Sequence, residues 1–179
     1  IPAVEISAAF TGGSLHILGY HIDVQSPELT QSLAHYQETR AQRNLLIIEK
    51  LVSLGIDVTM EELLEVAGGA ESLGRPHVAN LLVQKGVCKD PQQAFDRFLL
   101  PGKKAYIPKE FLDARGAIQL IHDAKGLAIV AHPKTLRLKK KKLKEYFSSL
   151  KDEGLDGIEA YNSAHQQPEI DTYLEIATE

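Results

Sequence analysis

Hydrophobic and polar positions change their spacing twice along the 179 residues of this chain. Near the start, residues 3–7 and 14–20 form short apolar runs on either side of Thr11-Gly12-Gly13, which predicts two strands joined by a turn. Residues 26–100 instead repeat apolar positions at helical spacing, with almost no strand pattern. Beyond them, helical and strand-like segments alternate with short links, which is typical of an α/β fold with a parallel sheet or barrel.

Local signals set the expected ends of these elements. Ser26-Pro27 opens a long helix that Gly55 ends, and Thr59 with Glu62 resembles a capping box for a helix reaching about Ala67. Further helices are predicted over 76–85, from Asp90-Pro91, and over 110–124, 139–152 and 167–178, with strands over 127–131 and 156–161. The simplest organisation is an α/β layer that a helical insertion interrupts.

Composition narrows the class of protein without naming a function. The net charge of −4 argues against general coating of nucleic acid, yet it leaves room for a local basic pocket. Cys88 is the only cysteine, so we expect no disulfide framework, no thiolate zinc site, and a cytoplasmic protein. No apolar run approaches the roughly 20 residues that span a bilayer, and the first residues do not read as a secretory signal, so no membrane partner is expected.

One carboxylate and two imidazoles lie on or next to predicted strands. His132 follows the apolar run 126–130 and precedes Pro133, which places it at a strand end, where α/β folds collect their chemistry. Glu5 and His16 each lie within an apolar strand pattern. Together the three residues predict a site for Mn²⁺, Fe²⁺ or Zn²⁺. Taken singly, Glu5 could be an edge-strand surface residue and His16 a surface or hydrogen-bonded core histidine.

A second segment with several candidate functional residues is Gly74-Arg75-Pro76-His77. Pro76 suits the first turn of a helix, whose free N–H groups and dipole favour an anion. The planar fork of Arg75 matches phosphate oxygens. An ordinary helix cap beside a surface arginine is the alternative. Lys103 and Lys104 could form a phosphate-binding edge, although a solvated loop explains them as well, and His165 is a further candidate near a strand end.

Several motifs, in order along nearly the whole chain, resemble the polymerase-and-histidinol-phosphatase (PHP) family of metal-dependent phosphoesterases. The closer likeness is to its nucleotide-phosphatase and exoribonuclease branch. The matching segments are residues 2–7, 15–20 with Asp23, 74–79, 94–95 with 98–99, 105–108, 131–133 and 154–161.

The resemblance implies part of a distorted (β/α)7 barrel over residues 1–25 and 106–179, with a helical insertion domain over 26–105. It implies two or three divalent metal ions, commonly Mn²⁺, with Glu5, His16 and His132 among their ligands. Arg75 and His77 would face the substrate phosphate, with capping of its own helix as the alternative role for His77.

The chain also departs from the family pattern. It lacks the opening His-x-His motif, the Asp-His pair of the second strand, and the closing Ser-Asp-x-His-type motif. We therefore expect a chain truncated at both ends, whose three candidate ligands cannot form a full metal cluster and which is inactive as given.

For the full-length protein, the resemblance implies hydrolysis of a phosphomonoester of a nucleotide, such as a 3′,5′-bisphosphate or the end of a short RNA. A small-metabolite phosphatase of the histidinol-phosphate type shares this chemistry. A non-catalytic PHP-like module that binds a phosphate or a partner, and a structural fragment with exposed strand edges, are the alternatives from other classes. The sequence leaves the oligomeric state open.

Overall fold

The computed structural model describes residues 1–70 and 73–178. In chain order the strands and α-helices are β1 (Ala3–Ala8), β2 (Leu15–Tyr20), α1 (Pro27–Ser53), α2 (Met60–Ala67), α3 (Arg75–Gln84), α4 (Pro91–Ala94), α5 (Ala114–Asp123), β3 (Leu127–Val130), α6 (Lys140–Asp152), β4 (Gly157–Ile158) and α7 (Gln167–Ala177). A π-helical turn (Phe95–Leu99) continues α4, and a 3₁₀ turn (Pro133–Leu136) follows β3.

The four strands form one mixed sheet in the order β1-β2-β3-β4. The pairs β1–β2 and β2–β3 are antiparallel, and only β3–β4 is parallel. The predicted turn joins β1 and β2, and a connection as short as residues 9–14 can join only antiparallel neighbours. The alternating segments after residue 100 contribute β3 and β4, which pair parallel as that alternation predicts. The antiparallel pairing of β2 with β3 was not predicted.

The observed helix starts agree best with the predicted ones where a capping side chain precedes the helix. Thr59 accepts a hydrogen bond from the backbone N–H of Glu62, whose carboxylate accepts in return from the N–H of Thr59, so α2 begins where the capping box predicts. The helix predicted from residue 110 begins later, at Ala114, because Asp113 caps it by accepting from the Gly116 N–H at 2.7 Å.

The strand predicted over 156–161 contains only Gly157 and Ile158. It pairs with β3, and the last backbone bond between them joins Glu159 N–H to Val130 O at 2.9 Å. Beyond that point the backbone that follows β3 turns away from β4 at His132 and Pro133. The residues after 159 therefore have no neighbouring strand to pair with.

The chain divides into two compact units, each with its own apolar core. The sheet unit comprises Ile1–Ser32 and Phe111–Glu179, and the helical unit comprises Leu33–Glu110. In the sheet unit, α5 covers one face of the sheet with its buried stripe around Ile118 and Ile121. The core of the helical unit includes the fully buried side chains of Ile47, Leu51, Leu63, Leu81, Leu82 and Leu99. Across the described residues, none of the helices combines the length and apolar character that crossing a membrane requires.

Candidate active site

Strand register brings the three predicted metal ligands to one end of the sheet. Ser7 pairs with His16 and Glu5 with Leu18, so Glu5 and His16 lie diagonally across two strands on the same face. Because β2 runs antiparallel to β3, its first residues lie beside the end of β3, where Ala131 N–H donates to His16 O at 2.9 Å. His132 is the next residue, and the sheet thus presents all three side chains together.

The distances among the three side chains suit a shared cation. Glu5 Oε1 lies 3.0 Å from His16 Nδ1 and 3.2 Å from His132 Nε2, and the two ring nitrogens are 3.3 Å apart. Neighbouring ligand atoms held about 2.0–2.2 Å from one ion lie about 2.8–3.6 Å from each other. Exposed fractions of 49% for Glu5, 31% for His16 and 26% for His132 leave the group open on one side.

Proton positions strengthen this fit. Thr135 Oγ1 has one proton, and it lies 2.8 Å from the carbonyl of Ser14 and 3.1 Å from that of His132, both of which only accept. The hydroxyl therefore accepts from His132 Nδ1–H at 3.3 Å, which leaves the lone pair of neutral His132 on Nε2. That lone pair faces the carboxylate of Glu5. A cation bound between the two groups would be coordinated by both of them.

The backbone of His132 is itself unusual. Its φ of 29° lies in the left-handed half of the map, and the residue precedes proline, which disfavours helical conformations of either hand. Two contacts hold the turn: Glu159 Oε2 accepts the His132 N–H at 2.5 Å, and Thr135 N–H donates to His132 O at 3.0 Å. A strained residue held in this way is characteristic of functional sites.

Two supporting residues were not predicted as part of the site. Glu159 binds the backbone of His132 and also accepts from Asn162 Nδ2 at 3.0 Å, and Thr135 orients the imidazole. Glu159 lies in the matched segment 154–161, but a carboxylate that acts through a backbone N–H has no spacing signature. Thr135 could have been suspected only from its place three residues after His132.

A glycine makes room for the turn that carries Thr135. A Cβ atom on Gly13 would collide with the carbonyl oxygen of Thr135 and lie 2.8 Å from that of Leu136. Ser14 N–H donates to Thr135 O at 3.0 Å, so the loop between β1 and β2 and the 3₁₀ turn are in direct backbone contact. The predicted turn glycine is thus a packing requirement of the candidate site.

Arg75 and His77 lie at the start of α3, within the helical unit. His77 Nδ1 accepts from the Gly74 N–H at 3.1 Å, so His77 does cap its own helix. A ring that accepts at Nδ1 carries its neutral-form proton on Nε2, which makes Nε2–H a donor for another group. Arg75 donates one N–H to Leu99 O at 3.0 Å and stacks over the Tyr106 ring, leaving further donors of its fork for a ligand.

The helical unit also gathers cations around Lys109. Burial, followed by repulsion from Arg40, Arg43 and Arg75, lowers the pKa of Lys109 to about 8. Burial and the same kind of repulsion lower the pKa of Arg43. We call Arg40, Arg43, Arg75 and Lys109 the cation cluster.

The other histidine candidate has a different environment. His165 is buried, with Nδ1 2.9 Å from the carbonyl of Ala160 and its ring packed against Tyr173. Among the described residues, the grouping of potential metal ligands is Glu5, His16 and His132, without His165. Lys103 and Lys104 are exposed, as a solvated loop would have them.

Comparisons with known proteins agree with this arrangement. The chain is 33% identical over 174 residues to the 5′-3′ exoribonuclease Rnm of Salmonella typhimurium, covering 97% of this chain and 59% of that protein. It is 28% identical over 162 residues to the 3′,5′-nucleoside bisphosphate phosphatase of Chromobacterium violaceum, covering 90% of this chain and 57% of that protein. The chain matches no family model.

A solved structure shares the fold. A candidate metal-dependent phosphoesterase from Bifidobacterium adolescentis superimposes with a TM-score of 0.78 at 26% identity, over 98% of this chain and 62% of the other. The chain spans about three fifths of the length of the curated relatives it matches. These similarities bear out the resemblance drawn from the sequence motifs: the homologues of this chain are an exoribonuclease and a nucleoside bisphosphate phosphatase, and its structural neighbour is a metal-dependent phosphoesterase, which is consistent with a PHP-type phosphoesterase.

Proposed function

We propose that the protein is a metal-dependent phosphoesterase that hydrolyses a phosphomonoester of a nucleotide, either a 3′,5′-bisphosphate or the end of a short RNA. The observation that carries this proposal is the convergence of Glu5 Oε1, His16 Nδ1 and His132 Nε2 within 3.0–3.3 Å of one another. The named activities of the relatives, on RNA and on nucleoside bisphosphates, support a nucleotide substrate.

We further propose that the mixed sheet is part of a distorted (β/α)7 barrel whose complete site holds two or three divalent ions. Glu5, His16 and His132 suit Mn²⁺, with Fe²⁺ and Zn²⁺ as alternatives, because imidazole and carboxylate ligands serve all three metals. These residues provide ligands on one side of a single ion, so the remaining ligands belong to other parts of the complete site.

When bound, the metal would supply an activated water and charge stabilisation for attack on phosphorus. The chain's residues have the supporting roles. Glu5 contributes a negative charge and the two imidazoles contribute neutral ligand atoms. Within the helical unit, Arg75 would offer its remaining N–H donors to a phosphate group of the substrate. His77 would offer Nε2–H to a phosphate group as well.

Substitution of His132 by alanine tests the proposal. The full-length protein is loaded with Mn²⁺, its metal content is measured by mass spectrometry, and phosphate release is measured from a nucleoside 3′,5′-bisphosphate and from a 5′-phosphorylated short RNA. Because His132→Ala removes a ligand, we expect metal affinity to fall by at least about tenfold and phosphate release to fall with it.

His21→Asn is the matched control. His21 is exposed and has a φ of 58°, a conformation that asparagine tolerates, so this variant removes an imidazole outside the site without strain. It should keep both metal and turnover. Tight metal binding without turnover on either substrate would contradict the proposed activity and favour a non-catalytic binding module. Equal metal loss in both variants would contradict the assigned ligands.

A further inference from the structure

A basic segment lies at the end of the sheet that presents the metal ligands. It is Arg137-Leu138-Lys139-Lys140-Lys141-Lys142, and the sequence has no acidic residue between positions 133 and 144. Because β3 and β4 pair in parallel on either side of α6 in the chain, α6 begins at the carboxyl end of β3, where His132 lies. The basic segment therefore belongs to the same unit and the same end of the sheet as the metal ligands.

Helix stability does not account for these cations. Lys139 is the N-cap of α6 and makes no capping hydrogen bond with its side chain, and the first turn after it contains no acidic residue. The helix dipole favours negative charge at this end, so lysines here oppose it. Among the described residues, the ion pair of the basic segment is that of Lys140 with Glu175. The other four cations are available to an anion.

A groove runs along the basic segment from the turn at the metal site. Its volume is about 400 Å³, and Pro133, the residue after the histidine ligand, is part of its wall. Lys134, Arg137 and Lys140 line it with three positive charges. The single carboxylate in the wall, that of Glu169, is paired with Lys134 at 3.1 Å. The groove thus begins beside the metal site and has an excess of positive charge.

An exposed aromatic ring lies on the neighbouring loop at the end of β4. Tyr161 is 71% exposed and follows two residues after Glu159, the carboxylate that accepts the backbone N–H of His132. Lys134 Nζ donates to Ala164 O at 3.0 Å, so this loop contacts the turn that carries the groove. A tyrosine exposed to this extent contributes little to the core, whereas its ring face can stack on a nucleobase.

Cations along a groove and an exposed aromatic ring are the two features with which proteins bind single-stranded nucleic acid without reading its sequence. The cations neutralise successive backbone phosphates, and the ring stacks on a base. A single nucleotide at the metal site would leave most of the basic segment unused, whereas a chain of nucleotides extends along it.

We infer that Tyr161, the groove and the basic segment bind the single-stranded part of an RNA whose terminal nucleotide occupies the metal site. This inference rests on the proposed function, and of the two substrates named there it selects RNA. The surface lies apart from the cation cluster, because all of its residues belong to the sheet unit.

Fluorescence anisotropy of the EDTA-treated, full-length protein with a single-stranded RNA of about ten nucleotides provides the first test. A triple variant combines Arg137→Asn, Lys141→Gln and Lys142→Gln; asparagine tolerates the φ of 56° at position 137. We expect affinity to fall at least about tenfold, and the slope of log affinity against log salt concentration to become shallower by up to about 2, because three phosphate contacts are lost. Removing cations from a helix N-terminus does not destabilise α6, so lost binding would not report unfolding.

Lys125→Asn is the matched control. Lys125 also has a positive φ, of 60°, but it lies before β3, at the opposite end of that strand. This variant removes one cation of the same unit and should change the RNA affinity less than twofold. Equal affinities of Lys125→Asn and the triple variant would overturn the inference.

Substitution of Tyr161 tests the stacking contact in the same assay. Tyr161→Ala should weaken single-stranded RNA binding by at least about fivefold, whereas Tyr161→Phe keeps the ring and should retain most of the affinity. An RNA duplex of the same length should bind more weakly than the single strand, because its bases already stack on each other. Equal binding of duplex and single strand, or equal affinities of the alanine and phenylalanine variants, would leave only general charge attraction and overturn the inference.

The metal-free assay separates this inference from the proposed function. If single-stranded RNA binds in EDTA and depends on Tyr161 and the basic segment while the metal-loaded protein hydrolyses nothing, the surface stands and the proposed activity fails. If the metal-loaded protein hydrolyses a nucleoside bisphosphate while RNA binding is indifferent to these variants, the activity stands and the RNA surface fails.

Discussion

At the scale of single residues, His132 connects backbone geometry with candidate chemistry. Its positive φ costs about 1–2 kcal/mol relative to ordinary conformations, and the contacts with Glu159 and Thr135 N–H offset this cost. The Thr135 hydroxyl then selects the tautomer that presents Nε2 to Glu5. A metal ligand of this kind depends on its hydrogen-bond partner for orientation and basicity.

Thr135→Val tests that dependence at a single atom. Valine has nearly the same shape but cannot accept from His132 Nδ1–H, so we expect metal affinity to fall about tenfold or more while the fold is kept. Thr135→Ser keeps the hydroxyl and should retain most of the affinity. Metal titration followed by mass spectrometry measures both. Equal affinities for the valine and serine variants would show that the hydroxyl does not orient the ring.

At the scale of elements, the sequence predicts best what depends on neighbours in the chain. The capping box at Thr59 and the cap at Asp90 are local signals, and α2 and α4 begin directly after them. Strand direction and strand length depend instead on pairing. The sequence therefore did not predict the antiparallel pairing of β2 with β3, and β4 has two residues where a six-residue strand was predicted.

The contact between the β1–β2 loop and the 3₁₀ turn leads to a prediction about Gly13. Gly13→Ala pushes a methyl group into the Thr135 carbonyl, so the turn that supports His132 must shift. We expect a loss of stability of about 1–3 kcal/mol together with weaker metal binding. Urea unfolding and metal titration of the same samples measure the two effects.

Gly12→Ala is the matched comparison for this variant. Gly12 has a φ of 96° and open space where a Cβ would lie, so alanine there costs backbone strain without touching the turn. It should lose about 1–2 kcal/mol of stability and keep its metal affinity. If Gly12→Ala weakened metal binding as much as Gly13→Ala, loop conformation rather than the contact with Thr135 would govern the site.

At the scale of the whole molecule, the chain divides its candidate chemistry between two units with separate cores. The sheet unit contains the metal ligands, and the helical unit contains the cation cluster. The net charge of −4 does not reveal this cluster, because net charge does not describe how positive and negative charges are distributed over the molecule. We expect the cluster to affect the pH dependence of the free energy of unfolding, which is a property of the whole fold.

The sign of that pH dependence follows from Lys109. Its folded pKa of about 8 lies below the ordinary lysine value of about 10.4, so between these values the unfolded chain holds a proton that the folded chain has lost. The contribution of this group to stability therefore rises with pH across the window.

Urea unfolding at pH 7.5 and pH 9.5 measures this effect. From pH 7.5 to pH 9.5, the free energy of unfolding of the wild-type protein should rise relative to that of Lys109→Met. The rise should be less than about 1 kcal/mol, because solvent partly screens the half-buried side chain. A stability difference that stays constant between the two pH values would mean that Lys109 has an ordinary pKa.

Local sequence signals were enough to predict most elements and the chemical character of the candidate site. Capping side chains, glycine stops and apolar spacing act between neighbours in the chain, and the motif order around Glu5, His16 and His132 carried the family resemblance. Contacts between distant residues could be learned only from the folded structure. Strand pairing set the ligand distances, a backbone contact gave Glu159 its role, and packing placed Lys109 near Arg40 and Arg43 of α1. None of these has a fixed spacing, because each arises only when the fold closes non-local contacts.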